Sequence, residues 1–144
     1  MEDVKSRFEQ LLEQARKEKP RRAKPSNEEE RIQVECVKWL ILRYHNKIIF
    51  HHSPNEAKRS EVMGARLKAM GMRPGWPDLE ILLPKGGVVF FEFKTKSGRQ
   101  SMSQKEIQLL LESIGHKYFV IRCVDDFIRV VEPIIAVAYG INEN

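Results

Sequence analysis

Cysteine is scarce in this chain of 144 residues: Cys36 and Cys123 are the only two, and nothing about their spacing suggests a metal site. That argues against a small secreted module held by disulfides and against a structural zinc site. Two buried, reduced thiols in a cytosolic protein are expected instead. Long apolar runs are also missing, and none approaches the roughly 20 residues that a membrane-spanning helix needs. The opening MEDVKSRFEQ has no apolar core of the signal-peptide kind. The expectation is a cytoplasmic protein without membrane association. No N-x-S/T sequon, internal repeat or low-complexity tract occurs.

The hydrophobic share of 42% fits one globular domain with a real core. The net charge of +5 and pI near 9.3 make a polyanion a plausible partner, although basicity alone shows only attraction to acidic surfaces. Two regions concentrate that charge. Residues 1–25 hold eight Lys or Arg against five Asp or Glu, and residues 57–74 hold five against one.

Hydrophobic periodicity divides the chain into an N-terminal amphipathic helix with a basic linker, residues 1–25, and a domain over residues 26–144. Val4, Phe8, Leu11 and Ala15 give the first helix its stripe, and KEKPRRAKP ends it. A second helix is predicted from Ser26 or Asn27 to about His45, burying Ile32, Cys36, Val37, Leu40, Ile41 and Tyr44. KIIFHH reads as a strand, and residues 57–74 as a partial helix cut short by Gly64, Gly71 and Pro74. DLEILL and VVFFEFKTK are strands joined by the turn PKGG. Ser101 opens a helix that Gly115 stops, HKYFVIR is a strand, and FIRVVEPIIAVAYG is a final strand or helix. The class is α/β with a mixed sheet.

The chemistry lies in the hairpin. Residues two apart on a strand share a face, so Glu92 and Lys94 point one way and Phe91 and Phe93 point into the core. A charge in such a run costs several kcal/mol unless it is paired or bound to a metal. A plain Glu92–Lys94 salt bridge would be one answer. Asp78, opening the preceding strand after Trp76-Pro77, offers another. Two carboxylates held together need a cation, and oxygen donors suit Mg²⁺ or Mn²⁺. Asp78, Glu92 and the backbone carbonyl of Phe93 would hold such an ion, which would polarise a phosphate oxygen, with Lys94 orienting water or offsetting charge. The loop length decides whether this can happen. A four-residue loop, Pro84–Gly87, sets Asp78 opposite Phe93, on the wrong face; a three-residue loop, Pro84–Gly86, sets it opposite Glu92. An odd loop, or a bulge near Glu92, is therefore expected.

Pro77-Asp78, thirteen further residues and then Glu92-Phe93-Lys94 resemble the signature of the PD-(D/E)xK nuclease superfamily. The α-β-β-β-α-β order of the core, with its mixed sheet flanked by helices, is similar to that superfamily's. More narrowly, EEERIQ, HHSPNEAKRS, GARLKAMGMRPGWPDL, FFEFK and SMSQ, in that order between Glu28 and Pro133, resemble the VRR-NUC nucleases, small stand-alone phage and bacterial members included. The resemblance implies catalytic roles for Asp78, Glu92 and Lys94. It adds Glu29, four residues before Gln33, and Gln104, and it sets Asn55 in a loop beside the site. Each addition has a plain structural account as well. Ser26 with Glu29 and Ser101 with Gln104 are capping-box pairs, and Asn55 is an ordinary turn residue. Lys58, Arg59, Arg66, Lys68 and Arg73 read as a solvated loop or, beside a phosphodiester site, as phosphate contacts. His51 and His52 alternate across a strand, so only one can face the site.

The resulting expectation is a Mg²⁺- or Mn²⁺-dependent endonuclease that nicks branched DNA such as four-way junctions, acting in repair as a homodimer. A nuclease of another DNA substrate, for phage nicking or packaging, is the second reading. A non-catalytic DNA-binding module is the third.

Overall fold

The computed structural model describes residues 28–45, 47–54 and 60–141. The amphipathic helix of residues 3–18, its linker, the cap at Ser26 or Asn27, and Asn55, Lys58 and Arg59 lie outside the described residues. The elements in order are α1 (Glu28–Tyr44), β1 (Ile49–His52), α2 (Glu61–Ala69), β2 (Leu79–Leu82), β3 (Val88–Phe93), α3 (Met102–Ser113), β4 (Lys117–Ile121) and α4 (Val124–Tyr139). They form a four-stranded sheet in the order β1-β2-β3-β4. The first three strands are antiparallel, and β4 returns parallel to β3 after α3. The sheet is thus mixed, as the strand order predicts.

Strand alternation divides the molecule into two packed layers. Leu79, Ile81, Val89, Phe91, Phe93 and Ile121 enter the main core. There they meet Ile32, Cys36, Leu40 and Tyr44 of α1 and Phe127, Val131 and Ile135 of α4. Phe91 lies 5.0 Å from Phe127, ring centre to ring centre, within the range where aromatic pairs add to area burial. The opposite face carries a smaller cluster, in which Phe90 and Tyr118 pack against Ile107 and Leu111 of α3. Glu92 and Lys94 continue that second face.

Several boundaries differ from expectation. On α1, Val37 and Ile41 are only half-buried, and Trp39 packs against the core beside them. Gly64 lies inside α2 without ending it; Ser60 caps the start, and none of the helix is buried. The C-terminal stretch is a helix throughout. Phe127, Val131 and Ile135 recur every four residues, which gives one buried helical stripe. Pro133 sits on the exposed side, where water can satisfy the carbonyl that its missing N–H leaves unpaired. Gly140, at φ 64°, supplies the left-handed C-cap. Phe127, Val131 and Ile135 thus enter the chain's own core.

The cysteines diverge too. Cys36 is buried, as expected, and its thiol pKa is pushed up to about 12, first by burial and then by Glu35 and Cys123. Cys123 is exposed, contrary to expectation, because it occupies the N-cap of α4 where the chain leaves β4. Both are free thiols.

Phe127 joins α4 to the sheet and to Trp39 of α1. Phe127→Ala is expected to cost about 3–5 kcal/mol through lost burial and a residual cavity. Val137→Ala, at a position 85% exposed, should stay within about 0.5 kcal/mol of the parent. Urea unfolding of both variants checks this, and equal midpoints would contradict the core assignment.

Candidate active site

Hairpin register builds the site. Leu79 pairs with Phe91 and Leu82 with Val88, and Leu83 N–H donates to Gly87 O at 2.7 Å. The loop is thus Pro84–Gly86, a three-residue turn in which Lys85 and Gly86 both take positive φ. This is the odd loop the sequence requires. Continued by one residue, the same register sets Asp78 opposite Glu92 on the face away from the main core.

Asp78 takes over where the ladder ends. Its Oδ2 accepts a hydrogen bond from Phe93 N–H at 2.8 Å. That N–H therefore points toward β2, and in a strand the carbonyl of the same residue points to the same side. The register position opposite Phe93 belongs to Pro77, which has no N–H to offer. The proline thus withholds the usual ladder partner from the Phe93 carbonyl while the aspartate satisfies its N–H. This is a physical reason for proline and aspartate to stand together here.

Glu92 is fully buried, and its compensation is visible. Gln104 Nε2 donates to Glu92 Oε1 at 2.8 Å, and Tyr118 Oη lies 3.5 Å from Oε2. Lys94 Nζ stands 3.8 Å from Glu92 Oε1 and 3.9 Å from Glu29 Oε1. Lys94 is itself buried, with 7% of its surface exposed. Charge and hydrogen bonds together offset a desolvation cost that neither would cover alone. Among the described residues no buried side-chain polar atom lacks a hydrogen-bond partner.

Gln104 closes its capping box and also reaches Glu92. Its Oε1 accepts from Ser101 N–H at 2.8 Å, closing the capping box of α3, while its amide nitrogen serves Glu92. Glu29 is half-buried and reaches Lys94, whereas Glu28 and Glu30 are exposed, which singles out Glu29 among the three. Gln33, four residues on, meets His52, with Nε2 2.8 Å from Nδ1, and the same Nδ1 lies 2.7 Å from the Asp78 carbonyl. His51 shares the site's face of the sheet but pairs with Glu80 at 3.5 Å. Arg66 and Lys68 on α2 and Arg73 after it are exposed to solvent.

Tyr118 is the residue that the sequence reading missed. It sits beside Phe90 in the parallel register and carries its hydroxyl under Glu92. Burial, and next the Glu92 carboxylate, push its pKa well above the ordinary tyrosine value, partly offset by the bond from Gln100. It therefore stays a protonated donor. The sequence shows only a tyrosine in HKYFVIR, whose hydroxyl would need a partner if buried; that the partner is Glu92 follows from the register.

The donor chemistry suits a hard cation, since Asp78 and Glu92 are carboxylates on adjacent strand positions and the Phe93 carbonyl lacks its ladder partner. No three His, Cys, Asp or Glu side chains converge closely enough to form a metal cluster by themselves among the described residues. A backbone oxygen would have to complete any such ligand set.

A mixed sheet with α1 and α4 on one face and α3 on the other is a PD-(D/E)xK nuclease-like core. No family model and no curated protein matches the sequence. Solved structures do. One named VRR_NUC domain protein superposes with a TM-score of 0.63 at 25% identity, covering 80% of this chain and 93% of its own. A second, named VRR_NUC domain, gives a TM-score of 0.50 at 19% identity over 74% and 97% and supports the fold. The first of these likenesses supports a VRR-NUC assignment and with it a nuclease function.

Lys94 holds a buried carboxylate in place, so Lys94→Met should destabilise the fold by about 3–5 kcal/mol. Adding Glu92→Gln removes the orphaned charge and should recover most of that loss. Chemical denaturation of the two single variants and the double variant measures the coupling, and additive effects would show that the pair does not depend on its partner.

Proposed function

We propose that the protein is a Mg²⁺- or Mn²⁺-dependent endonuclease that hydrolyses phosphodiester bonds in DNA, with branched DNA as its substrate. The observation that carries this is the placement of Asp78 opposite Glu92, beside the buried Lys94, at the register where Pro77 frees a backbone carbonyl. Asp78, Glu92 and the Phe93 carbonyl would hold the ion. When bound, it supplies a Lewis acid for a phosphoryl oxygen and a means of activating water.

The chain's own groups do the rest. Gln104 and Tyr118 fix the Glu92 carboxylate so that it meets a cation without reorganising. Lys94 carries a positive charge toward the face where a phosphate must sit, and Glu29 keeps it from collapsing wholly onto Glu92. Arg66, Lys68 and Arg73 supply exposed cations for the phosphate backbone, as Lys58 and Arg59 would by sequence. No base-reading motif stands out in the sequence, which favours recognition by shape. A non-catalytic DNA-binding role is the weaker account, because nothing in binding alone requires the buried cost of Glu92.

Asp78→Asn and Glu92→Gln are each expected to abolish cleavage in Mg²⁺ or Mn²⁺ while retaining DNA affinity. Labelled duplex, flap, single-stranded and four-way substrates test both the chemistry and the preference. Wild-type rates for Asp78→Asn would sink the proposed site.

Symmetric nicking of a four-way junction calls for a twofold assembly, so a homodimer belongs to this proposal. Light scattering should give about twice the chain mass of 16.9 kDa. A monomer that still makes paired nicks would exclude the dimer.

A further inference from the structure

Next to Lys94 the surface opens into a cleft of about 320 Å³, lined by Gly75, Trp76, Arg99, Ser101, Ser103 and Gln104. We propose that this cleft is a phosphate subsite for the nucleic-acid strand, with Arg99 as its principal donor. The proposal rests on the nucleic-acid reading above and adds a binding residue to it.

Three features show a built site. First, Lys94 lines the cleft with a side chain only 9% exposed, so a cation sits in its floor. Second, Arg99 is exposed at its edge and has no ion pair or hydrogen bond from its guanidinium to any described residue. The loop that carries it is nonetheless fixed from below. Arg122 Nη1 lies 2.6 Å from Thr95 O, 2.8 Å from Gly98 O and 3.3 Å from Lys96 O. Arg99 is thus held on an anchored loop, which lowers the entropy lost when it grips an anion. Third, the turn that lines the cleft beside α3 requires glycine. Gly75 has φ +79°, and a Cβ there would come within 2.4 Å of the Ser103 carbonyl carbon, so the turn approaches α3 as closely as backbone allows.

The donors identify the ligand. The first amides of α3 are partly consumed by its own capping box, so affinity must come from side chains. Arg99 offers a planar fork suited to phosphate oxygens, and the Ser101 and Ser103 hydroxyls, 3.1 Å apart, add neutral donors beside it. Trp76, held edge-on to Phe90 at 5.7 Å, presents an aromatic wall at the same opening. A phosphodiester next to the one at Lys94 meets cation, hydroxyls and ring together.

The test measures binding of a short fluorescein-labelled DNA duplex by anisotropy across a salt series in metal-free buffer. Arg99→Gln should weaken binding on the order of tenfold. It should also reduce the slope of log affinity against log salt by about 0.9, the loss of one phosphate contact. Arg99→Lys should keep most of that slope. Lys38→Gln, which removes the same charge from the exposed side of α1, should leave it unchanged. An Arg99→Gln slope equal to that of Lys38→Gln overturns the subsite, as does a wild type that fails to bind duplex at low salt. Cleavage plays no part in this measurement, so a wild type that binds but never cuts overturns the nuclease reading alone.

Discussion

Glu92 stands on an interior strand with none of its surface in water, and much of the second face of the sheet is arranged around that fact. An isolated buried carboxylate would titrate to its neutral form or unfold the strand. Here it is met by an amide from α3, a hydroxyl from β4 and an ammonium two residues along its own strand. Each partner is then constrained in turn. Gln104 can reach Glu92 because the capping box fixes the first turn of α3, and Tyr118 can do so because β4 runs parallel to β3 in the observed register. The parallel crossover through α3 is thus what delivers two of the three partners to one carboxylate.

The opposite face explains why the arrangement can persist. Phe91 and Phe93 are locked between α1 and α4, so Glu92 and Lys94 have no freedom to rotate to the other side of the strand. Fixing the phenylalanines fixes the charges by alternation alone. The apolar layer therefore sets the geometry of the polar one, and the cost of desolvating Glu92 is borne by packing that is remote from it.

Much of this was legible in the residues, for reasons that can be named. Period-2 alternation in VVFFEFK assigns faces without any tertiary information. The parity of the PKGG loop ties Asp78 to Glu92 or separates them, so register could be argued before it was seen. Glu29 and Gln104 were marked by the resemblance and kept double accounts, and Gln104 both closes the capping box and reaches Glu92. Tyr118 was not legible, because its role depends on which strand neighbours β3, and a parallel pairing across α3 leaves no local trace. Arg99 escaped for a similar reason. Its proposed role comes from Arg122 holding its loop and from Gly75 packing against the start of α3, contacts between segments well apart in the chain. Cys123 misled for the opposite reason: its apolar neighbours belong to β4 and α4, and the residue itself falls at the exposed junction between them.

The division between what sequence shows and what structure adds follows the range of the interactions. Alternation, caps and turn length act over a few residues, and they position Asp78, Glu92 and Lys94 relative to one another. Substrate contact, by contrast, needs surfaces assembled from different elements. The turn before β2, the loop after β3 and the first turn of α3 meet only once the sheet has closed. A site built this way can keep its reacting groups rigid on strands while the loops around them set which strand geometry fits. That separation gives a physical basis for varying substrate preference on one sheet, because changing Arg99 would alter grip without disturbing the network that holds Glu92, whereas the Gly75 turn packs against Gln104 itself.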